Sequence, residues 1–221
     1  VRELVAGTTG GAIVGARAFG CRPGKPTRSP NFIWDIGSAG STTALALAVL
    51  PVLAFGSTSV SIELRGGLFQ DFAPSFYHLE HVLLPLLHRM GIEASARMVR
   101  PGYVPSGQGI WHLAATPTRS TLRPLRLDAP GKVEKIWGIA LSSRLREQSV
   151  SNRMAESAKH ALEAAGYRVD IQVLYDESAL GAGASLAVFA ELSSGARIGS
   201  DRAGAPGRRS QLLPSARSLR E

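Results

Sequence analysis

The chain has 221 residues, 44% of them hydrophobic and 19% charged, which is enough apolar sequence to build a sizeable core in one large domain or two modest ones. Twenty-five Lys and Arg face 17 Asp and Glu, a net charge of +8 with a pI near 10.4, and such a balance favours polyanionic partners, nucleic acid first among them. Cys21 is the only cysteine, so an internal disulfide and a multi-cysteine zinc site are both excluded.

No basic-then-apolar leader is read at Val1-Arg2-Glu3-Leu4. The longest apolar run, Ala44 to Phe55, falls short of the roughly 20 residues a membrane helix requires. The expectation is a chain without membrane partners, in the cytoplasm. Half of the charge excess lies at the end: from Arg197 to Glu221 there are six arginines against Asp201 and Glu221. The remainder is thinly spread along the sequence.

In chain order, Ala12 to Ala18 predicts a strand and the proline-rich Cys21 to Pro30 a loop. Phe32 to Ile36 predicts a short strand. The glycine-broken stretch Gly37-Ser38-Ala39-Gly40-Ser41-Thr42-Thr43 follows, and a helix at 42–50 ends at Pro51. Ser38, Ser41 and Thr42 are candidate caps, and Gly37 and Gly40 permit backbone angles closed to other residues. Free N–H groups at a helix start make an anion site, although an ordinary capped turn that binds nothing reads the same way.

Ser59 to Arg65 alternates strictly and predicts a half-buried strand. Gly66-Gly67 ends it and a loop runs through Pro74. Apolar residues at 76, 79, 82, 83, 86, 87 and 90 then predict a helix stopped by Gly91. Strands at 93–99 and 110–116 flank the loop Arg100 to Gly109, which combines an arginine able to fork onto phosphate, Tyr103 and three glycines. A rigid hairpin connection accounts for that loop equally well.

In the second half, Lys135 to Leu141 predicts a strand and Ser149 to Ala165 a helix with Ser151 as its cap. Strands at 167–175 and 185–192 complete a β–α–β–β unit. The expected organisation is α/β, with helices on one sheet face: a main domain at 1–123, an inserted domain at 124–195, and a return to the main domain with a basic tail at 196–221. Of the five histidines, His78 and His81 share a predicted helix face and His88 lies two turns on, while Glu80 points elsewhere. No metal set is read from them, and no nucleophile elbow, P-loop or two-histidine zinc helix is present.

Taken in order and spacing, these loops resemble the RNA 3′-terminal phosphate cyclase family. Asp35 to Thr43 with Pro51 is similar to its Ala-Gly-Ser helix signature, and Gly66-Gly67 with Ala73-Pro74 to its Gly-Gly-Thr loop. Leu84-Pro85 through Gly91 resembles its following helix, and Arg100-Pro101-Gly102-Tyr103 through Gly109 its arginine–glycine–aromatic loop. Asn152 to Ala155, Gly181 to Gly183 through Glu191, and Asp201 to Ser210 resemble its inserted domain and the return from it.

The resemblance implies repeated β–α–β–α–β–β units, shared with enolpyruvyl transferases, plus a small α/β insert. It implies ATP and a divalent metal (Mg or Mn) as cofactors and an RNA 3′ end as partner. Such enzymes adenylate a histidine and pass AMP to an RNA 3′-phosphate. The adjacent 2′-hydroxyl, already held at attack distance, then closes a 2′,3′-cyclic phosphate and releases AMP. On this reading Gly40, Ser41, Gly66, Gly67 and Pro74 hold the nucleotide and Arg100 the substrate phosphate.

The departures from the family are specific. Its first repeat would precede Val1, and its nucleophilic histidine belongs beyond Arg209, where no histidine occurs. The helix glutamine associated with ATP aligns with Leu47, the loop threonine with Leu68 and the loop aspartate with Tyr77. Gln211 to Glu221 no longer follows the pattern. No catalytic residue and no metal ligand is assigned, and none of the five histidines replaces the nucleophile. The expectation is a partial copy, inactive alone, with apolar surface exposed where the first repeat would pack. The alternatives are a non-catalytic relative that binds RNA or ribosome-assembly partners and, from the shared architecture alone, enolpyruvyl transfer.

Overall fold

The computed structural model describes residues 2–204 apart from 14, 26–28, 38–39 and 130. The candidate cap Ser38 and the tail expected at 205–221 lie outside the described residues.

The chain opens with a small hairpin, β1 (Thr8–Gly10) and β2 (Gly20–Arg22). The strand expected at Ala12–Ala18 is instead the hairpin's connection. Gly11 and Gly15 there have φ of 72° and 84°, which breaks an extended run. The first main unit follows: β3 (Asn31–Asp35), α1 (Thr42–Ala54), β4 (Val60–Gly66), a helical rod, β5 (Glu93–Arg100) and β6 (Gly109–Thr116). The rod is α2 (Phe76–His78), a π-helical turn (Leu79–Leu83) and α3 (Leu84–Met90), closed by Gly91 in the left-handed region. Strand order is β3-β4-β6-β5, parallel between β3 and β4 and antiparallel elsewhere. Alternation in β4 and β6 turns Ile62, Leu64, Trp111 and Leu113 toward the helices, where all four are fully buried.

Pro51 does not end its helix, which runs on to Ala54. Proline leaves the carbonyl four residues back without a donor, and here that residue, Leu47, lies with Pro51 on the exposed side of the helix.

The second unit is β7 (Val133–Ser143), α4 (Val150–Ala164), β8 (Asp170–Asp176) and β9 (Gly183–Leu192), followed by β10 (Arg197–Ala203). The sheet order is β10-β9-β7-β8, with β7 and β8 parallel. β10 pairs with β9 from Arg197–Glu191 to Ala203–Ser185, so the boundary drawn at 195 falls between two neighbouring strands of one sheet. Ser151 does not cap α4. Ser149 occupies that position in a left-handed conformation, and Ser151 is buried within the first turn, donating to the Leu174 carbonyl at 2.7 Å. The first sheet, the rod and the inner face of the second sheet share one core, in which Leu64, Phe76, Leu79, Ile139 and Phe189 belong to a single cluster.

Candidate functional site

Three loops meet at one end of the first sheet, the carboxyl end of the parallel pair β3 and β4. That edge is where open α/β sheets gather ligands, because helix starts and flexible connections collect there. Asp35 pairs with Arg65, Gly66 with Gly109 and Arg100 with Ile110, which brings the turn after β3, the loop after β4 and the β5–β6 loop to one level.

Backbone bonds lock the loops together. The Gly67 N–H donates to the Gly40 carbonyl at 2.9 Å and the Thr42 N–H to the Gly67 carbonyl at 3.1 Å. The Leu68 and Phe69 N–H groups both donate to the Gly102 carbonyl. The glycines are required by this closeness. A Cβ on Gly66, whose φ is 153°, would lie 2.9 Å from Ile36 and Thr42 side chains, and one on Gly67 would lie 2.9 Å from the Gly40 carbonyl. Gly102 and Gly109 stand backbone against backbone in the same way.

Hydroxyls finish the arrangement. Ser41 caps α1 by accepting from the Ala44 N–H at 3.1 Å, and its Oγ is 2.9 Å from Thr43 Oγ1. Thr43 donates to the Pro74 carbonyl at 2.6 Å, which fixes the far end of the second loop. Thr42 is fully buried, donates to the Gly67 carbonyl at 2.6 Å and accepts from the Trp111 indole at 2.9 Å. Arg100 turns back on its own loop: Nε and Nη2 donate to the Gln108 carbonyl at 3.0 and 2.8 Å, leaving Nη1 for another acceptor. Gly40, Ser41, Gly66, Gly67 and Pro74 are therefore brought together, while Arg100 joins them through the Gly102 contact.

The amides of Gly37, Thr42, Ala44 and Gly67 all have internal acceptors. At this helix start Thr42 and Thr43 are fully buried and Ser41 is half-buried. Gln70 sits behind it, only 3% exposed, with Oε1 and Nε2 both lacking a hydrogen-bond partner among the described residues. A buried carboxamide in this state calls for a small polar partner such as water. Sequence reading offered Thr42 only as a cap, a place Ser41 takes, and missed Gln70 and Trp111. Trp111 carries only the signal of an alternating strand, and nothing in the pattern distinguishes Gln70 from any polar loop residue.

The second unit braces the loops from outside. Tyr103 lies flat on Gly183, and its hydroxyl is 2.9 Å from Ser143 Oγ, which in turn is 3.1 Å from Asp176 Oδ2. Burial pushes the Tyr103 phenol well above its ordinary pKa, so the ring stays neutral. Asp201 on β10 accepts from the Ser75 N–H at 3.1 Å, and its Oδ1 is 3.3 Å from His78 Nδ1 without hydrogen-bond alignment. Burial alone would raise the Asp201 carboxyl, but His78 and Ser75 outweigh it and hold the group below the usual carboxylate value. Asp71 accepts from the Ala203 N–H at 3.1 Å.

The histidines do not converge. The π-helical turn places Glu80 Oε2 3.6 Å from His81 Nε2, correcting the expectation that Glu80 points away, because the wider turn brings neighbours onto one side. Burial, and then Arg197, hold the His81 pKa below its ordinary value, and burial raises that of Glu80. His88 pairs with Glu93 and His112 lies 3.6 Å from Glu63, both away from the loops. Among the described residues no three His, Cys, Asp or Glu side chains come together, so they do not fit a divalent ion held by protein ligands alone. A cavity of about 430 Å³ opens at the opposite end of the sheet, beside Pro30, Ser59, His88, Glu93 and Thr116, and no candidate residue lines it.

With this geometry, comparison with known proteins is decisive. The sequence pattern of the RNA 3′-terminal phosphate cyclase family matches residues 1–201. The chain belongs to the RNA 3′-terminal phosphate cyclase family. It is 32% identical over 215 residues to an RNA 3′-terminal phosphate cyclase of Methanothermobacter thermautotrophicus, covering 97% of this chain and 62% of that protein. Against that of Staphylothermus marinus the identity is 30% over 208 residues, 92% of this chain and 58% of the relative. Against that of Methylococcus capsulatus it is 33% over 169 residues, 74% and 46%. The chain thus spans about half to three fifths of the cyclases it matches. Its mixed α/β architecture is consistent with the cyclase fold, and among the described residues no helix is long and apolar enough to cross a membrane.

Proposed function

We propose that this cyclase-family chain forms the nucleotide- and RNA-end-binding part of an ATP-dependent RNA 3′-phosphate cyclase acting in the cytoplasm, built on repeated β–α–β–α–β–β units with an inserted α/β domain that starts near 124. The observation that carries the reading is the convergence of three glycine loops at the carboxyl ends of β3 and β4. ATP, when bound, supplies the adenylyl group that makes a phosphate oxygen a leaving group. The chain's own residues orient the reactants. Ser41 Oγ presents a half-buried hydroxyl at the start of α1, held in place by Thr43, and the free Nη1 of Arg100 offers a charge-assisted donor to a terminal phosphate. A divalent ion would ride on the phosphates, because the described residues provide no ligand set of their own.

None of the five histidines lies in the three loops, and Leu47, Leu68 and Tyr77 replace the glutamine, threonine and aspartate of the family pattern. The chain alone is therefore expected to bind without becoming adenylated. Incubation with labelled ATP and Mg or Mn should leave no covalent protein–AMP adduct, while ATP and 3′-phosphorylated RNA still bind. Arg100→Gln should weaken the RNA 3′-phosphate about tenfold, near 1.4 kcal/mol. A covalent adduct would overturn the inactive reading, and equal affinity for 3′-phosphate and 3′-hydroxyl RNA would overturn the assignment of Arg100. The same three substitutions favour the second reading, a cyclase-like protein that binds RNA or ribosome-assembly partners without catalysis. RNA binding with no ATP binding at all would select it.

A further inference from the structure

Seven of the eight net positive charges lie in two short stretches. One is the region from Arg197 onward. The other is the connector between the two units, residues 117–132, where Arg119, Arg123, Arg126 and Lys132 face only Asp128. All four basic residues are exposed. Among the described residues, the side chains of Arg119, Arg123 and Arg126 have no ion pair, hydrogen bond or ring contact, whereas Arg65, Arg89, Arg100, Arg144 and Arg197 are all engaged with the protein's own groups.

The connector is nevertheless held in place. The Thr118 N–H donates to the Ala54 carbonyl at the end of α1, at 2.8 Å, and the Arg123 N–H to the Met90 carbonyl at the end of α3, at 2.9 Å. Leu122 packs on the shared core. Farther on, Lys132 and Ser193 exchange bonds, the Lys132 N–H to Ser193 Oγ at 3.0 Å and the Ser193 N–H to the Lys132 carbonyl at 2.9 Å. Pro117 and Pro124 restrict the backbone between these pins. The result is a pinned strap without helix or strand, not a loose linker, and its arginines stand four and three residues apart. Fully extended, that spacing reaches no more than about 14 and 11 Å.

We infer that the 117–126 strap is a binding track for the phosphate backbone of single-stranded RNA, separate from the glycine loops. This rests on RNA being the chain's partner. Planar guanidinium forks carried on a pinned backbone, and lacking acceptors among the described residues, suit a regular polyanion, and a flexible single strand can follow their spacing where a rigid duplex cannot. The track reads backbone and not sequence, so it holds the body of the RNA while the loops take its end.

The test uses the full chain and a short, labelled single-stranded RNA ending in a 3′-hydroxyl, without ATP, so that neither adenylation nor recognition of a terminal phosphate enters the result. Association constants are measured by anisotropy between about 50 and 200 mM salt, where each phosphate contact to a single strand contributes about 0.7 to the slope of log K against log salt. Replacing Arg119, Arg123 and Arg126 together by Gln should reduce the slope by about 2. A triple variant with the same loss of charge elsewhere, R17Q/R22Q/K25Q, should leave it unchanged. Changing the three arginines to Lys should preserve the slope with a smaller loss of affinity, which keeps the inference testable if the Gln variant folds poorly. Equal slope changes in the strap and control variants would overturn the track. So would polyglutamate competing as well as RNA, which would assign the strap to an acidic protein. A lowered melting temperature with unchanged RNA binding would assign the arginines to stability instead.

Discussion

The helices α1 and α4 have similar lengths and similar positions in their units, yet they are built on opposite plans. α4 buries Ser151, Met154, Ala155, Ala158 and Leu162 along one stripe and gives water Asn152, Arg153, Glu156, Lys159 and Glu163. Its polar face is finished. α1 buries Ala46, Val49, Leu50 and Leu53, but its outer face is also apolar: Ala44, Leu47, Ala48 and Pro51, followed by the 63% exposed Phe55. A helix apolar all round normally lies in a core. The second unit thus turns a polar helix face to water, whereas the first turns an apolar one.

The largest effect should come from the side chains that join α1 to its sheet. Trp111→Ala removes a fully buried indole and leaves the Thr42 hydroxyl without its donor. It should cost about 3–5 kcal/mol, read as a lower urea midpoint. If the two plans reflect independent stabilities, far-ultraviolet signal from α4 will survive beyond the loss of tryptophan fluorescence in the first unit. A single coincident transition would show that the shared core binds the units into one cooperative body.

Gly66→Ala comes next. Its left-handed backbone and the 2.9 Å approaches to Ile36 and Thr42 leave no room for a methyl group, and a penalty of about 1–3 kcal/mol is expected. The counterpart Gly166→Ala, at the end of α4, has φ of 87° but nothing within 4 Å. It should cost only the backbone strain, about 1 kcal/mol. Equal losses in thermal melts would mean that close loop packing adds nothing.

The pH response should single out the rod between the units. Because His81 has a lowered pKa in the folded chain, the unfolded chain takes up its proton first as pH falls. Stability contributed by this group is complete above the ordinary histidine value, near 6.5, and is lost as pH drops from there through the folded value. Glu80, with its raised pKa, acts in the opposite sense: its contribution is present below the ordinary value and lost as pH rises through the folded one. His81→Gln should therefore flatten the decline in melting temperature between about pH 6.5 and 5. An unchanged profile would place the acid sensitivity elsewhere.

The smallest change in folding stability is expected from Leu47→Gln combined with Phe55→Gln, within about 0.5 kcal/mol, since both side chains face outward. Self-association in sedimentation velocity should fall all the same. Matching polar substitutions on α4, Lys159→Gln and Glu163→Gln, should leave sedimentation unaltered. If both pairs behave alike, the apolar face of α1 is not cohesive.

Much of the fold was legible because its signals are local. Strict alternation located β4, periodic apolar residues located the rod and α4, and glycine pairs marked the loops. The errors came where tertiary context overrides a local rule. Pro51 continues its helix with Leu47, the residue whose carbonyl it strands, on the exposed side, and Ser151 serves a distant carbonyl and not its own helix start. β10 joined the second sheet through a pairing register that no single segment encodes. At the candidate site, the glycines could be chosen from sequence, but not what they are for: they admit neighbouring backbones. Trp111, Thr42 and Gln70 owe their importance to partners 25 to 69 residues away or to a missing partner.

The carboxylate of Asp201 accepts the Ser75 N–H across 126 residues of sequence. It supplies an acceptor for the first turn of α2, whose second acceptor, Ser75 Oγ, is its neighbour in the chain. So distant a partner imposes an order of events during synthesis. The sheet, α1 and the loop bonds of Gly67, Leu68 and Pro74 can form as soon as β6 has emerged, but the Ser75 end of that loop gains its last anchor only when the last described strand is made. This corner of the rim would then be the final part of the candidate site to set, and ribosome-bound intermediates ending before residue 201 should expose the Ser75 end of the loop to proteases while the sheet beneath it is already protected.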